Sequence, residues 1–160
     1  MRRAAEAVRS LEDYNKDYSS PYVLTALADW QMSMYNDSTA IRYYDEALDL
    51  ASDYAPALLG KAETLRMTRR YNDYFKVLDR FVADPYTPVE SKSDYLTAII
   101  QRVDPKFMRS FMHQMDSVIA RTVMAHPSDS TAMNLAGVWY YSTDRKDEAG
   151  RWFRQNAETY

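Results

Sequence analysis

The strongest constraint on this chain is that it repeats itself. Leu24 and Leu58, Ala28 and Ala62, Ala40 and Tyr74, Tyr44 and Leu78, and Ala47 and Phe81 are pairs of like character that share one interval. That interval is about 34 residues, inside the range that marks repeat architectures. Ala28 and Gly137, Ala40 and Ala149, and Tyr44 and Phe153 share a longer interval, three such periods with seven residues to spare. Seven residues are about two helical turns. The spacing therefore predicts that the extra length lies around residues 103 to 115, as a two-turn extension of one helix.

Everything else in the chain favours helices. Apolar residues recur at three and four positions in Ala4/Ala7/Val8/Leu11, Leu24/Leu27/Ala28 and Val77/Leu78/Phe81, and strand-like alternation is absent. Ser20-Pro21, Thr87-Pro88 and Asp104-Pro105 each set a capping oxygen before a proline whose missing N–H is harmless in a first turn. Asp37, Asn72 and Asp144 are further candidate N-caps. With 160 residues the chain can bury a core without staples, and it has no cysteine for disulfides or thiolate chemistry. No apolar run reaches the roughly 18 residues of a membrane span. Basic and acidic residues, 20 and 23 of them, are well mixed, which argues against a nucleic-acid binder.

Two stretches carry a family likeness. Thr39-Ala40-Ile41-Arg42-Tyr43-Tyr44-Asp45-Glu46-Ala47-Leu48 resembles the second helix of the tetratricopeptide repeat, a helix-turn-helix unit of about 34 residues. Asn134-Leu135-Ala136-Gly137-Val138-Trp139-Tyr140-Tyr141 resembles its first helix, with a close-packing glycine, and Asp147-Glu148-Ala149 and Phe153 continue the pattern. The chain departs from the family where Leu24, Leu58 and Met133 replace an early tryptophan, where Phe81 and Asn156 replace a late alanine, and where the terminal proline survives only as Pro127. The resemblance implies an all-α, right-handed superhelical stack of antiparallel helix pairs forming one domain over residues 1–160. Residues 1–18 would be the lone helix of a truncated unit. Units would follow at 21–54, 55–88, 89–127 and 128–160, the third irregular, for about nine helices in all.

Catalytic chemistry finds little support in the residues. His113 and Asp116 could share a helix face, but zinc wants three or four ligands and no third is supplied nearby. The run His126-Pro127-Ser128-Asp129-Ser130 holds triad residue types that cannot converge from one turn, and Asp129 or Ser130 serves better as a helix cap. Glycines stand only at 60, 137 and 150, too far apart for a phosphate loop. The basic and aromatic segment Arg66 to Tyr74 reads as a solvated turn, and the resemblance implies that Tyr71 and Tyr74 stand at packing positions of the repeat. Tyr43, Tyr44, Tyr54, Tyr74 and Tyr95 read as interhelical filler with outward hydroxyls.

The family resemblance implies a non-catalytic scaffold that binds a protein or peptide partner and needs no cofactor. Its groove would be lined by first helices, through Tyr22, Thr25, Asp29 and Met32, then Leu59, Glu63 and Arg66, then Asn134, Val138 and Tyr141. Asp29 and Glu63 outnumber Arg66 there and would favour a basic segment. Thr25, Asp29, Gly60 and Thr131 stand where family members that clamp a C-terminal carboxylate carry lysine and asparagine, so that ligand is not expected. The alternative is a helper or regulatory domain of a larger enzyme or transcription regulator. The Tyr-, Asp- and Ser-rich style resembles secreted bacterial repeat proteins, favouring the cell envelope or periplasm and a longer parent chain. Trp152 follows Tyr43 by the longer interval and stands where a following repeat would cover it, so self-association through the terminal helices is expected.

Overall fold

The structure, a computed structural model, describes residues 1–160 and contains ten helices and no strand. In chain order they are α1 Arg2–Asp17, α2 Pro21–Ser33, α3 Asp37–Leu50, α4 Ala55–Met67, α5 Tyr71–Ala83, α6 Val89–Arg102, α7 Pro105–Ser110, α8 Met112–Ala125, α9 Ser130–Ser142 and α10 Lys146–Thr159. They group into two compact units, Met1–Phe81 and Val82–Tyr160. In the first unit α2 lies against α1, α3 and α4, and α3 lies against α4. In the second, α9 lies against α6, α8 and α10. Each unit thus repeats one scheme, in which a first helix touches both the helix paired with it in its own hairpin and the first helix of the neighbouring hairpin.

The residues that recur at the repeat period form the core. Leu24, Ala28, Ala40, Tyr44, Ala47, Leu58, Ala62, Tyr74, Leu78 and Phe81 are all buried. Small residues on one helix receive large ones from another. A Cβ on Gly60 would meet the ring of Tyr44, and one on Gly137 would meet the ring of Phe153, so α4 approaches α3, and α10 approaches α9, as closely as a bare backbone allows. Tyr44 cannot yield, because it is buried and its hydroxyl donates to Asp29 Oδ1 at 2.5 Å. Burial, and then this carboxylate, push its phenol well above the ordinary value. Tyr44 is therefore buried with its hydroxyl bonded to Asp29 of α2, and Tyr74 is wholly buried as well, where outward hydroxyls were expected.

The turn within each hairpin is set by the backbone. Tyr35, Arg69 and Asp144 all have φ near +60°. They occupy matching places in the repeat, Arg69 one period after Tyr35 and Asp144 the longer interval after it. After each comes the same long-reaching bond: Asn36 N–H to Gln31 O, Arg70 N–H to Leu65 O, and Arg145 N–H to Tyr140 O, at 2.8–2.9 Å. This is a Schellman closure, normally made with glycine at the left-handed position. It explains why Asp37, Asn72 and Asp144 do not cap. Asp37 and Asn72 lie inside the first turns of α3 and α5, and Asp144 occupies the left-handed position itself.

The third hairpin breaks the rule at the matching residue. Val103 stands one period after Arg69, and a β-branched side chain is excluded from the left-handed region. It is extended instead, with φ −82° and ψ 141°, and Asp104 before Pro105 is extended too. The chain cannot close the short turn, and the seven extra residues form the six-residue α7 and Phe111, which separates it from α8. A single lengthened helix was expected here. The insertion is instead a separate short helix, and α8 has the same 14 residues as α3. Among the caps, Ser20 accepts from Val23 N–H and Asp104 from Lys106 N–H, as the sequence indicates. Thr87 does not cap; its hydroxyl donates to Asp84, and α6 starts one residue after Pro88.

Two consequences can be measured. Gly60→Ala should lower the unfolding free energy by about 1–3 kcal/mol through overpacking against Tyr44. Gly150→Ala meets no atom within 4 Å and should raise it by about 0.5–1 kcal/mol through helix propensity; urea titrations of both variants check the opposite signs. Arg69→Gly, relieving the left-handed strain at an exposed position, should stabilise by about 0.5–1 kcal/mol, whereas Arg69→Val should destabilise.

Candidate functional site

The first helices carry the residues that sequence periodicity points to. On α2, Tyr22 is 72% exposed, Asp29 is exposed and Met32 half-buried. On α4, Leu59, Glu63 and Arg66 are half-buried and, at about 100° per residue, share one face. In the second unit Asn134 and Tyr141 are exposed on α9, with Val138 half-buried between them. Thr25 does not belong to this surface. Three helices pack against α2, and Thr25 falls within the covered part, 5% exposed.

On the first unit's face, Glu63 and Arg66 pair with each other. Arg66 Nη2 lies 2.8 Å from Glu63 Oε2, and Arg66 Nε donates to Glu63 Oε1 at 3.1 Å, a two-point pairing across one helical turn. Asp29 accepts from Tyr44. Glu63 is thus neutralised by Arg66, while Asp29 keeps its charge beside a neutral phenol; the largest exposed side chains on these faces are Tyr22 in the first unit and Tyr141 in the second. Trp152, expected to lie uncovered, is half-buried, and Phe153 is the residue that packs over Gly137.

In the second unit, a buried lysine escaped the sequence reading. Lys92 has no exposed surface. Its Nζ donates to Val82 O at 2.8 Å and Asp84 O at 2.5 Å, and lies 2.8 Å from His126 Nε2. The three protons of an ammonium thus have three acceptors. Val82 O and Asp84 O lie at the end of α5, where carbonyls lack intrahelical partners and attract a cation. The signal was present: Lys92 stands one period after Leu58, at an apolar core register, and His126 follows it by the same step. The contact requires a lone pair on His126 Nε2. Burial and then the Lys92 charge pull His126 below the ordinary histidine value, with Asp129, Glu90 and Asp84 opposing.

A second polar knot ties α8 to the α9–α10 turn. Arg145 Nη1 and Nη2 donate to the two oxygens of Asp116 at 2.9 and 2.7 Å, and Trp139 Nε1 donates to Asp116 Oδ1 at 2.7 Å. The Arg145 guanidinium also lies 4.5 Å from the Tyr140 ring centre. Burial disfavours the Asp116 charge, but the hydrogen bonds from Arg145 and Trp139 outweigh it and hold the carboxyl below its usual range. Asp116 is thus committed to Arg145 and Trp139, while His113 is exposed. Asp129, as anticipated, caps α9 by accepting from Ala132 N–H at 3.0 Å.

With this geometry in hand, the chain can be set beside known structures. The chain has the tetratricopeptide-repeat fold. A crystal structure of MamA is 20% identical with a TM-score of 0.55, covering 96% of this chain and 86% of the other. A MamA RS-1 double mutant is 17% identical with a TM-score of 0.56, covering 97% and 84%. MamA from Desulfovibrio magneticus RS-1, residues 41 to the end, has a TM-score of 0.52 at 17% identity, over 97% and 84% of the two chains. No family profile and no curated protein sequence matches this chain.

The histidine contact sets a pH dependence. His126 has a folded-state value below its unfolded one, so its contribution to stability is complete above the unfolded value of about 6.5 and is lost as pH falls through the folded value. The unfolding free energy should therefore fall between pH 7.5 and pH 5. His126→Gln, which keeps an acceptor and removes the titration, should flatten that fall in urea titrations at the two pH values.

Proposed function

We propose that this protein is a non-catalytic interaction scaffold that binds protein segments on the exposed faces of the first helices within each unit. The observation that carries the reading is the exposure of large aromatic side chains on those faces, Tyr22 on α2 and Tyr141 on α9 at 72% and 64%. A tyrosine offers rigid, amphipathic contact area at low entropic cost, which suits it to a binding surface. Met32 and Leu59 in the first unit and Val138 in the second extend the apolar component. Asn134 adds an amide that can both donate and accept. The Glu63–Arg66 pair can present an acceptor and a donor side by side to a peptide backbone.

The partner favoured by these faces is an apolar or aromatic segment of another protein. Asp29→Ala is a poor probe of it, since the substitution also strips the partner from a buried tyrosine hydroxyl. Tyr22→Ala combined with Tyr141→Ala is cleaner. The double variant should keep its unfolding free energy within about ±0.5 kcal/mol per site, as surface substitutions do. A photo-crosslinking amino acid at position 22 or 141 should give a discrete heterologous protein adduct in cells, and the double alanine variant should no longer coprecipitate that protein. Coprecipitation that survives the double substitution, or the absence of any adduct, would remove these faces as the binding surface.

A further inference from the structure

A second groove lies in the first unit, on the other side of α4. It has a volume of about 330 Å³ and is lined from α3, α4, the turn after α4, and α5. Lys61 and Leu65 of α4 line it, whereas Leu59, Glu63 and Arg66 fall on the opposite face of the same helix at about 100° per residue. Its floor is apolar, from Ile41, Leu65 and Val77. Its walls carry four cations, Lys61, Arg70, Lys76 and Arg80, against two carboxylates, Asp45 and Asp73. This is a local excess of two positive charges on a chain whose formal net charge is −3.

The cations are held in place without being used up. Lys61 Nζ is 2.6 Å from Asp45 Oδ1, and this pair sits deepest, with the lysine side chain 21% exposed. Arg70 Nη2 is 3.0 Å from Asp73 Oδ2, and Arg80 Nη2 donates to Ser52 O at 2.7 Å. Each arginine uses one of its five donors in these bonds. Lys76 is exposed and stands four residues before Arg80 on α5, an arrangement of like charges that repels until an anion is placed between them.

Resting on the reading of the chain as a protein-binding scaffold, we propose that this groove binds an acidic segment of a partner protein, its carboxylates on Lys76, Arg80 and Arg70 and an apolar side chain on Ile41, Leu65 and Val77. The two carboxylates among the cations disfavour a continuous phosphate backbone, and the apolar floor gives a polynucleotide nothing to match.

The test is titration of the uniformly ¹⁵N-labelled full chain with a blocked twelve-residue peptide of glutamate and serine around one central leucine. Its counterparts are the same peptide with lysine for glutamate, and a single-stranded oligothymidylate. The glutamate peptide should shift the amide resonances of Ile41, Leu65 and Val77, and the effect should fade at high salt as exposed ion pairs are screened. Lys76→Glu with Arg80→Glu should weaken it at least about tenfold with an unchanged helical circular dichroism spectrum, since both residues lie on α5 with their charges at its surface. Equal shifts from the lysine peptide, or shifts from the oligonucleotide alone, would overturn the proposal. Shifts confined to α2, α4 and α9 residues of the first-helix faces would overturn it while leaving the scaffold reading intact. Perturbation by none of the probes would overturn it as well, and the crosslinking at positions 22 and 141 would then decide the scaffold reading separately.

Discussion

One backbone requirement governs the hairpins of this protein: a single residue between paired helices must enter the left-handed region so that the next amide can reach back to a carbonyl five residues earlier. Tyr35, Arg69 and Asp144 do so without the freedom of glycine. Each carries a conformational cost of about 1–2 kcal/mol, and each is tolerated because the closure places two amphipathic helices face to face. Where valine occupies the position, at residue 103, the closure is absent and the chain inserts α7 before it can turn back. Even so, α8 lies against α9 as α3 lies against α4. Helix packing therefore tolerates a rerouted turn as long as the returning helix presents the same face.

Most of the fold was legible because repetition converts weak local preferences into a strong collective one. The positions that recur at the shorter period, from Leu24 and Ala28 to Leu78 and Phe81, are all buried, whereas Phe153, at the longer interval, is exposed. The errors lie at junctions. Asp37 and Asn72 fall one and two residues inside their helices because a Schellman turn, invisible to capping rules when it lacks glycine, leads straight into the next helix. The seven extra residues were placed correctly in the chain but given the wrong shape. Val103 and Pro105 together forbid the geometry that a continuous helix after a short turn would need.

The candidate surface was legible only in outline. Helical phase puts Leu59, Glu63 and Arg66 on one face of α4, but could not foresee that three helices pack against α2 and take Thr25 inside. Nor could residue counting reveal that Glu63 and Arg66 were already paired, since pairing depends on rotamers across one turn. The basic residues around Arg70 were read as a solvated turn. The fold aligns Arg70 with Lys61, Lys76 and Arg80, which lie up to nineteen positions apart in sequence, along one groove.

An array of similar units invites a particular error, in which one hairpin stacks against the wrong neighbour, displaced by a whole repeat. Apolar registers do little to prevent it, because leucine fits where leucine fits. Lys92 is different. Its ammonium is at home only where two terminal carbonyls and an imidazole converge. Shifted by one unit, it would meet the surroundings of Leu58 or Met133 and carry an uncompensated charge into them, a penalty of several kcal/mol. The buried lysine acts as a place marker, giving one hairpin an address that its otherwise interchangeable companions lack.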